Sequence, residues 1–147
     1  MATDEKVSFS AEERAAMKEY AAELKAEKKR KGTADKAAQD EADLVAKIAE
    51  LTGDDRILAE KVHALVREHA PELAPKTWYG MPAYNRDGRA IVFFQPASKF
   101  KARYSTLGFN DGAKLDDGAM WPTSYALTTI GPAEEKTLIE LIRRAVG

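Results

Sequence analysis

Residues 76–95 carry the sequence KTWYGMPAYNRDGRAIVFFQ, which is rich in aromatic and β-branched residues. Two runs of this composition, Lys76–Tyr84 and Arg89–Gln95, flank the segment Asn85–Gly88, which consists largely of turn-forming residues. The stretch therefore predicts two antiparallel strands joined by a hairpin turn. Gly80 lies between large side chains, where a strand glycine usually marks a bulge or a close backbone approach. We expect this position not to tolerate a side chain.

Two more strands are predicted downstream. They cover Phe100–Phe109, where alternate residues face opposite ways, and Ser124–Ile130. The connection between them, Asn110–Pro122, is expected to contain a short helical turn near Asp116–Met120.

Helices precede and follow this strand region in the sequence. One begins near Asp54 and ends before Ala70, and another begins at Pro132. Their apolar faces consist of Leu58, Val62, Leu65 and Val66, and of Leu138, Leu141, Ile142, Ala145 and Val146. The order of elements predicts an α+β fold in which a four-stranded antiparallel sheet has two flanking helices.

The first 53 residues differ in composition from the rest. Of these, 22 are charged, against 25 of the 94 residues that follow. Ser10 and Glu13 have the spacing of a capping box and predict the start of a helix. Gly32 interrupts that helical pattern, and a second helix follows. We therefore expect a charged helical hairpin over residues 1–53, followed by an α+β domain over residues 54–147.

The composition excludes several functional classes. With a formal net charge of −1, the chain of 147 residues has no bulk charge for attracting nucleic acid or anionic lipid. It has no cysteine, which rules out disulfides, thiolate metal sites and cysteine nucleophiles. No apolar run reaches the roughly 20 residues that span a bilayer, and the N-terminus lacks the apolar core of a signal peptide. We expect a cytoplasmic protein that binds neither nucleic acid nor membrane.

The residues that most often carry catalysis form no recognisable group. His63 and His69 lie on one predicted helix but leave it in different directions, with His63 on the surface and His69 partly buried. None of the serines lies in a Gly-x-Ser-x-Gly turn, and the chain has neither a dinucleotide-binding glycine motif nor a P-loop. The sequence therefore favours a non-enzymatic protein over a hydrolase or a nucleotide-dependent enzyme.

Three aspartates lie in the long connection before the last strand. The carboxylates of Asp111, Asp116 and Asp117 are oxygen ligands of the kind that hard cations prefer. Their spacing does not match a calcium-binding loop, and capping of the expected helical turn is the alternative role for Asp116 or Asp117. A metal site here would be oxygen-ligated and independent of both histidines.

The aromatic residues give the clearest indication of a binding site. Ten of the twelve lie at or after Trp78, and strand alternation places large rings on both faces of the first strand. Two flanking helices cover only one face of the sheet. The other face is then covered by the N-terminal helices, forms a pocket, or contacts a second copy of the chain. The candidate ligand-binding residues are Trp78, Tyr79, Gly80, Met81, Pro82, Tyr84, Trp121 and Tyr125.

The segment Trp78–Tyr84, the turn that follows it and Ala90–Phe94 resemble the core motif of the YdhG-like family of small bacterial proteins, most of which have no known function. The resemblance covers about residues 54–147. The segment Asp116–Ser124 and the charged N-terminal extension are similar to a longer, actinobacterial-type branch. The resemblance implies a frataxin-like α+β sandwich. For some members it also implies an iron chaperone that delivers ferrous iron to haem or iron–sulfur assembly.

Two functions of different class remain open from the sequence. The first is a frataxin-like carrier of weakly bound iron, with iron-accepting proteins as partners. The second is a module that binds a small molecule, or catalyses weakly, in an aromatic cleft around Trp78, Tyr84, Trp121 and Tyr125. A homodimer through the N-terminal helices or through the open sheet face is a further expectation.

Overall fold

The structure of the chain, a computed structural model, describes residues 8–147. The helices are α1 (Ala11–Arg30), α2 (Lys36–Glu50), α3 (Gly53–His69) and α4 (Pro132–Val146). The strands are β1 (Ala74–Trp78), β2 (Met81–Arg86), β3 (Arg89–Gln95), β4 (Ser105–Phe109) and β5 (Ser124–Leu127). The predicted α+β class is confirmed. Within residues 8–147, no helix is both long enough and apolar enough to cross a membrane.

The sheet has five antiparallel strands, in the spatial order β1-β2-β3-β4-β5. The predicted number of four is wrong because Lys76–Tyr84 is a hairpin and not a single strand. Tyr79 and Gly80 form its two-residue turn, with φ angles of 52° and 75°, and Trp78 pairs with Met81 across it. Positive φ at both turn positions matches the twist of the two flanking strands. Gly80 is therefore a turn glycine.

The strand predicted over Phe100–Phe109 is shorter than expected. Residues Ala97–Phe100 form a 3₁₀ helix, and Lys101 ends it in the left-handed region, with a φ of 53°. This change of direction delays β4 until Ser105, so the alternation predicted before that residue is wrong. The segment Asp116–Met120, where the sequence predicts a helical turn, is irregular and turns around 118–119.

One face of the sheet carries the main core. The strand registers align Pro75, Tyr84, Val92 and Phe109 across β1 to β4. Helices α3 and α4 pack against this face, and every inward residue predicted for these two helices is buried. The helical period of the sequence therefore predicted this part of the packing correctly.

Helix α2 belongs to the same core although it precedes residue 54. Leu44 is fully buried and Ile48 is 5% exposed, and both lie in one apolar cluster with residues of α3, α4 and the sheet. The helix packs against the edge strand β1 and against α3. Three helices therefore enclose the core, where the sequence predicted two. The core extends across the expected boundary at residue 53.

Helix α1, unlike α2, contributes almost no buried residues and is held largely by polar contacts. It begins with the predicted capping box, in which the Glu13 N–H donates to Ser10 Oγ at 3.0 Å and the Ser10 N–H donates to Glu13 Oε1 at 3.1 Å. Of the residues of α1, all of which the structure describes, only Ala16 is buried. Ion pairs hold α1 antiparallel to α2. The first seven residues of the predicted extension lie outside the described residues.

Candidate functional site

The second face of the sheet, opposite the main core, carries aromatic rings. The strand registers align Lys76, Ala83, Phe93 and Gly108 on this face. The Phe93 ring occupies the space that a side chain at position 108 would fill, so glycine is required there. Trp78 packs against Phe93, with 5.2 Å between the ring centroids. These rings form an apolar surface that faces away from the core.

A pocket of about 500 Å³ lies between this face and α1. The volume falls within the range of about 300–1,000 Å³ that small-ligand sites usually have. Helix α1 contributes Tyr20 and Leu24 to the lining, β1 contributes Trp78, and β2 contributes Asn85. The other lining residues come from α1 and β1, from α2, from the turn after β2, from the start of β3 and from the loop after β4.

Asn85 supplies a polar group without a partner. Its Oδ1 atom is enclosed and has no hydrogen-bond partner among the described residues. An amide oxygen without a partner destabilises a fold by about 1–3 kcal/mol, and a rotation of the side chain that turns it toward the pocket would let a ligand supply the missing hydrogen bond. The pairing of β2 with β3 shifts register between Tyr84 and Asn85. Such an irregularity redirects a side chain from its regular place in a ladder, and is common beside binding sites.

The turn between β1 and β2 anchors α1. The backbone N–H groups of Tyr79 and Gly80 donate to the two carboxylate oxygens of Glu23, each at 2.8 Å. The Tyr20 ring stacks on the Tyr79 ring, with 4.1 Å between centroids and 8° between planes. A Cβ atom at position 80 would overlap the carboxylate of Glu19. The close approach expected at Gly80 is therefore present, but α1 causes it and not a bulge.

Ion pairs connect α1, α2 and β1 beside the pocket. Lys76 Nζ donates to Glu27 Oε2 at 2.6 Å, and Lys36 Nζ lies 3.1 Å from the same oxygen. Lys36 also donates to the buried carboxylate of Asp40 at 2.6 Å, which Arg30 contacts at 3.1 Å. Arg30 also lies 2.6 Å from Asp43, so three cations face three carboxylates and the charges balance within the protein.

The glutamates of α1 make its attachment sensitive to pH. The hydrogen bond from Lys76 lowers the pKa of Glu27 below its usual 4.5. At Glu19, burial acts to raise the pKa, but hydrogen bonds from Lys47 and Lys99 outweigh it and the pKa is lowered. A carboxyl group whose pKa is lower in the docked state favours docking when it is ionised. Its contribution is therefore present above about pH 4.5 and is lost as the pH falls through the lowered values.

We accordingly expect α1 to leave the sheet on acidification before the core unfolds. The backbone N–H groups of Tyr79 and Gly80, which donate hydrogen bonds to Glu23, should lose protection from hydrogen exchange as α1 leaves the sheet below about pH 4.5. Amides in β3, which are bonded to neighbouring strands, should stay protected. Exchange measured by NMR and corrected for the intrinsic rate at each pH tests this. Simultaneous loss of protection in both places would contradict it.

The first five predicted ligand-binding residues lie in three environments. Trp78 lines the pocket. Tyr79 and Gly80 form the turn that holds α1, and their backbone N–H groups are occupied by Glu23. Met81 and Pro82 are buried. Of these five residues, Trp78 is the one whose side chain faces the pocket.

The other three lie elsewhere. Tyr84 is fully buried in the main core, and its hydroxyl forms a hydrogen bond of 2.9 Å with Nδ1 of His63. Burial raises the pKa of Tyr84 far above its usual value and lowers the pKa of His63, so a protonated hydroxyl faces a neutral ring. Trp121 lines a separate depression beside β4. Tyr125 packs edge-on against Phe109, at 6.1 Å between centroids.

The two histidines have separate partners, as their divergence on the helix predicts. His63 is half-buried against Tyr84, and the surface position predicted for it is wrong because β2 covers this side of α3. His69 lies against α4, where its Nδ1 is 2.9 Å from an Arg143 nitrogen.

The three predicted metal ligands are exposed. Asp111 lines both the pocket and the depression beside β4. Asp116 lines only that depression, and Asp117 lines neither. Among residues 8–147, no group of three or more Asp, Glu or His side chains is arranged to hold a metal ion. Iron binding at these aspartates stays a prediction.

Sequence patterns did not identify Tyr20, Glu23 or Asn85 as residues of the site. Tyr20 and Glu23 lie on a helix whose apolar stripe is thin, and the recurrence of glutamate along one side of that helix was a usable signal. Asn85 follows a strand and precedes Asp87-Gly88, where asparagine is an ordinary turn residue. Its role depends on a pocket that forms only when α1 packs against the sheet.

No protein-family model, curated protein or solved structure matches the chain. The resemblance to the YdhG-like family therefore stays a prediction. The function proposed below rests on the geometry of the pocket and on the chemistry of its lining.

Proposed function

We propose that the protein binds a small planar molecule in the pocket between α1 and the second sheet face. The observation that carries this proposal is the enclosed Oδ1 of Asn85, which has no hydrogen-bond partner within residues 8–147 and belongs to a residue that lines the pocket together with Trp78 and Tyr20. Aromatic side chains provide flat apolar walls, and a single amide orients the bound molecule. Of the two functions that the sequence leaves open, the pocket supports small-molecule binding.

The lining favours a neutral ligand that has a donor and an acceptor on one edge. The amide of Asn85 offers one carbonyl and one NH₂ group, and a rotation of 180° exchanges them without changing its shape. Primary amides, lactams and nucleobases present the complementary pair. The lining holds five carboxylates and three cations, and two of the cations, Lys36 and Lys76, are already paired with Glu27 and Asp40, so it has no positive excess that would favour an anionic ligand.

Benzamide should bind in this pocket and change the emission of Trp78. The variant Trp121→Phe leaves Trp78 as the one tryptophan of the chain, so that its fluorescence reports on the pocket. For a probe of this size we expect a Kd on the order of 1 mM. Acetophenone has the same ring and carbonyl but no N–H donor, and it should bind more weakly because Asn85 then lacks one partner.

The variant Asn85→Leu tests the role of the amide. In the Trp121→Phe background it should weaken benzamide binding about ten-fold and acetophenone binding by a smaller factor, because benzamide loses two hydrogen bonds to the amide and acetophenone loses one. Gln95→Leu is the matched control, because Gln95 also carries an amide on β3 but does not line the pocket. Equal loss of benzamide binding in both variants, or unchanged binding in Asn85→Leu, would contradict the proposal.

A further inference from the structure

The side of α1 that faces the protein is acidic. Glu12, Glu19, Glu23 and Glu27 are separated by seven, four and four residues, which places their side chains on one side of the helix. Most surface helices instead direct an apolar stripe inward. The apolar Met17 and Leu24 of α1 are 38% and 47% exposed. Charge therefore holds this helix in place more than apolar burial does.

The surface under α1 is correspondingly basic. Its groups are the side chains of Lys36, Lys47, Lys76, Lys99 and Lys101 and the backbone N–H groups of Tyr79 and Gly80; we call this surface the basic groove. The lysines contact Glu12, Glu19 and Glu27 in ion pairs of 2.6 to 3.1 Å. Glu23 occupies the two N–H groups. The complementary contacts extend from Glu12 to Glu27, which is roughly 22 Å of helix.

The contacts that hold α1 are of a kind that another chain can replace. Ion pairs at a protein surface contribute little individually and are weakened by salt. Ala16 is the single buried residue among Ala11–Arg30. The segment between α1 and α2 contains Gly32, with a φ of 78°, and its residues are exposed. Release of α1 therefore leaves the main core intact, because that core contains no residue of α1.

We propose that the basic groove is a docking site for a helix of a partner protein that has one acidic side, and that α1 occupies this site in cis. The occupant in the structure defines what fits. It is a helix with a carboxylate that spans two turn N–H groups, an aromatic ring three residues earlier that stacks on Tyr79, and a second carboxylate four residues later at Lys76. A partner helix with this spacing makes the same contacts once α1 has left.

The geometry favours a helix over a nucleic acid. Glu23 places one oxygen on each of two adjacent N–H groups, and Tyr20 stacks on the neighbouring ring at a fixed helical distance from it. These contacts require groups at defined positions along a rigid rod. The net charge of −1 gives the chain no general attraction for a polyanion.

Two full-length variants and two peptides test this proposal. The first variant carries Glu19→Gln, Glu23→Gln and Glu27→Gln, which removes the inward charges of α1. The control carries Lys18→Gln, Lys25→Gln and Lys29→Gln, an equal number of charge changes at exposed positions on the opposite side of the same helix. The probe is a fluorescein-labelled peptide with the sequence of residues 8–31, and binding is measured by fluorescence anisotropy at low ionic strength.

The peptide should bind the glutamine variant at least about ten-fold more tightly than the control, because the tethered α1 of the control competes at a high effective concentration. Added NaCl should weaken the binding. A peptide with glutamine at positions 19, 23 and 27 should lose it. Equal binding to both variants, or equal binding of both peptides, would overturn the proposal.

Amide NMR signals and competition by DNA provide two further tests of the docking site. The NMR signals of the Tyr79 and Gly80 amides should move in the glutamine variant and return toward their original positions when the peptide is added. Unchanged amide signals in that variant would show that the carboxylates do not hold α1, and would overturn the proposal. A DNA oligonucleotide that displaces the peptide as effectively as unlabelled peptide would overturn it in favour of a general polyanion site.

Discussion

Replacing Leu44 by alanine should lower the free energy of unfolding by about 2–4 kcal/mol. Leu44 is fully buried, and the cluster that encloses it includes residues of α3 and of the sheet. Truncation removes apolar burial and leaves a cavity between elements that cannot fully close around it. Urea unfolding monitored by tryptophan fluorescence measures the change. The result decides whether α2 belongs to the cooperative unit, although it lies before residue 54.

Val45→Ala is the control for this measurement. Val45 follows Leu44 on the same helix but is 48% exposed, so its truncation should change the free energy of unfolding by less than about 0.5 kcal/mol. If Leu44→Ala were as mild as Val45→Ala, α2 would be an appendage, and residues 54–147 would fold without it.

Gly80→Ala should lower the free energy of unfolding by about 1–3 kcal/mol. Two effects combine at this position. An alanine at a φ of 75° is strained by about 1–2 kcal/mol. Its Cβ atom would also overlap the Glu19 carboxylate, which has to move away from Lys99 and Lys47. Loss of these contacts contributes up to about 1 kcal/mol more.

Gly88→Ala separates the two effects. Gly88 has a φ of 76° in the turn between β2 and β3, and a Cβ atom there meets nothing within 4 Å. This variant should therefore show the backbone strain alone, about 1–2 kcal/mol. The difference between the two variants measures the contact with α1 and should disappear in high salt. Equal destabilisation at both positions would contradict the close packing of α1 on the turn.

The helices could be predicted because their signals are local. The capping box of Ser10 and Glu13 lies within four residues, and the apolar face of α3 repeats within one helix. The sequence did not indicate the hairpin in Lys76–Tyr84, because tyrosine is common in strands and Tyr79-Gly80 is not one of the usual turn pairs such as Asn-Gly. The missed turn also gives the wrong sheet face for some residues. Alternation along a single strand would place Trp78 and Tyr84 on the same face, whereas the hairpin places them on opposite faces.

The candidate site could be predicted only in part because it is assembled from distant segments. Trp78 was identified from the density of aromatic residues. Its pocket partners Tyr20 and Asn85 are separated by more than sixty positions in the chain, and they meet through the docking of α1 on the β1–β2 turn. That docking depends on the Glu23 carboxylate and two backbone N–H groups, which side-chain patterns do not reveal.

The most direct test of the proposed binding site is the response of the Asn85 side chain to benzamide. In a ¹⁵N-labelled protein, the Asn85 NH₂ signals are assigned by their loss in Asn85→Leu. On titration with benzamide, they should shift together with the Trp78 indole N–H, since both residues line the pocket. The Trp121 indole N–H, which belongs to the separate depression beside β4, should stay in place. Shifts at Trp121 with unchanged Asn85 and Trp78 signals would contradict the proposed site.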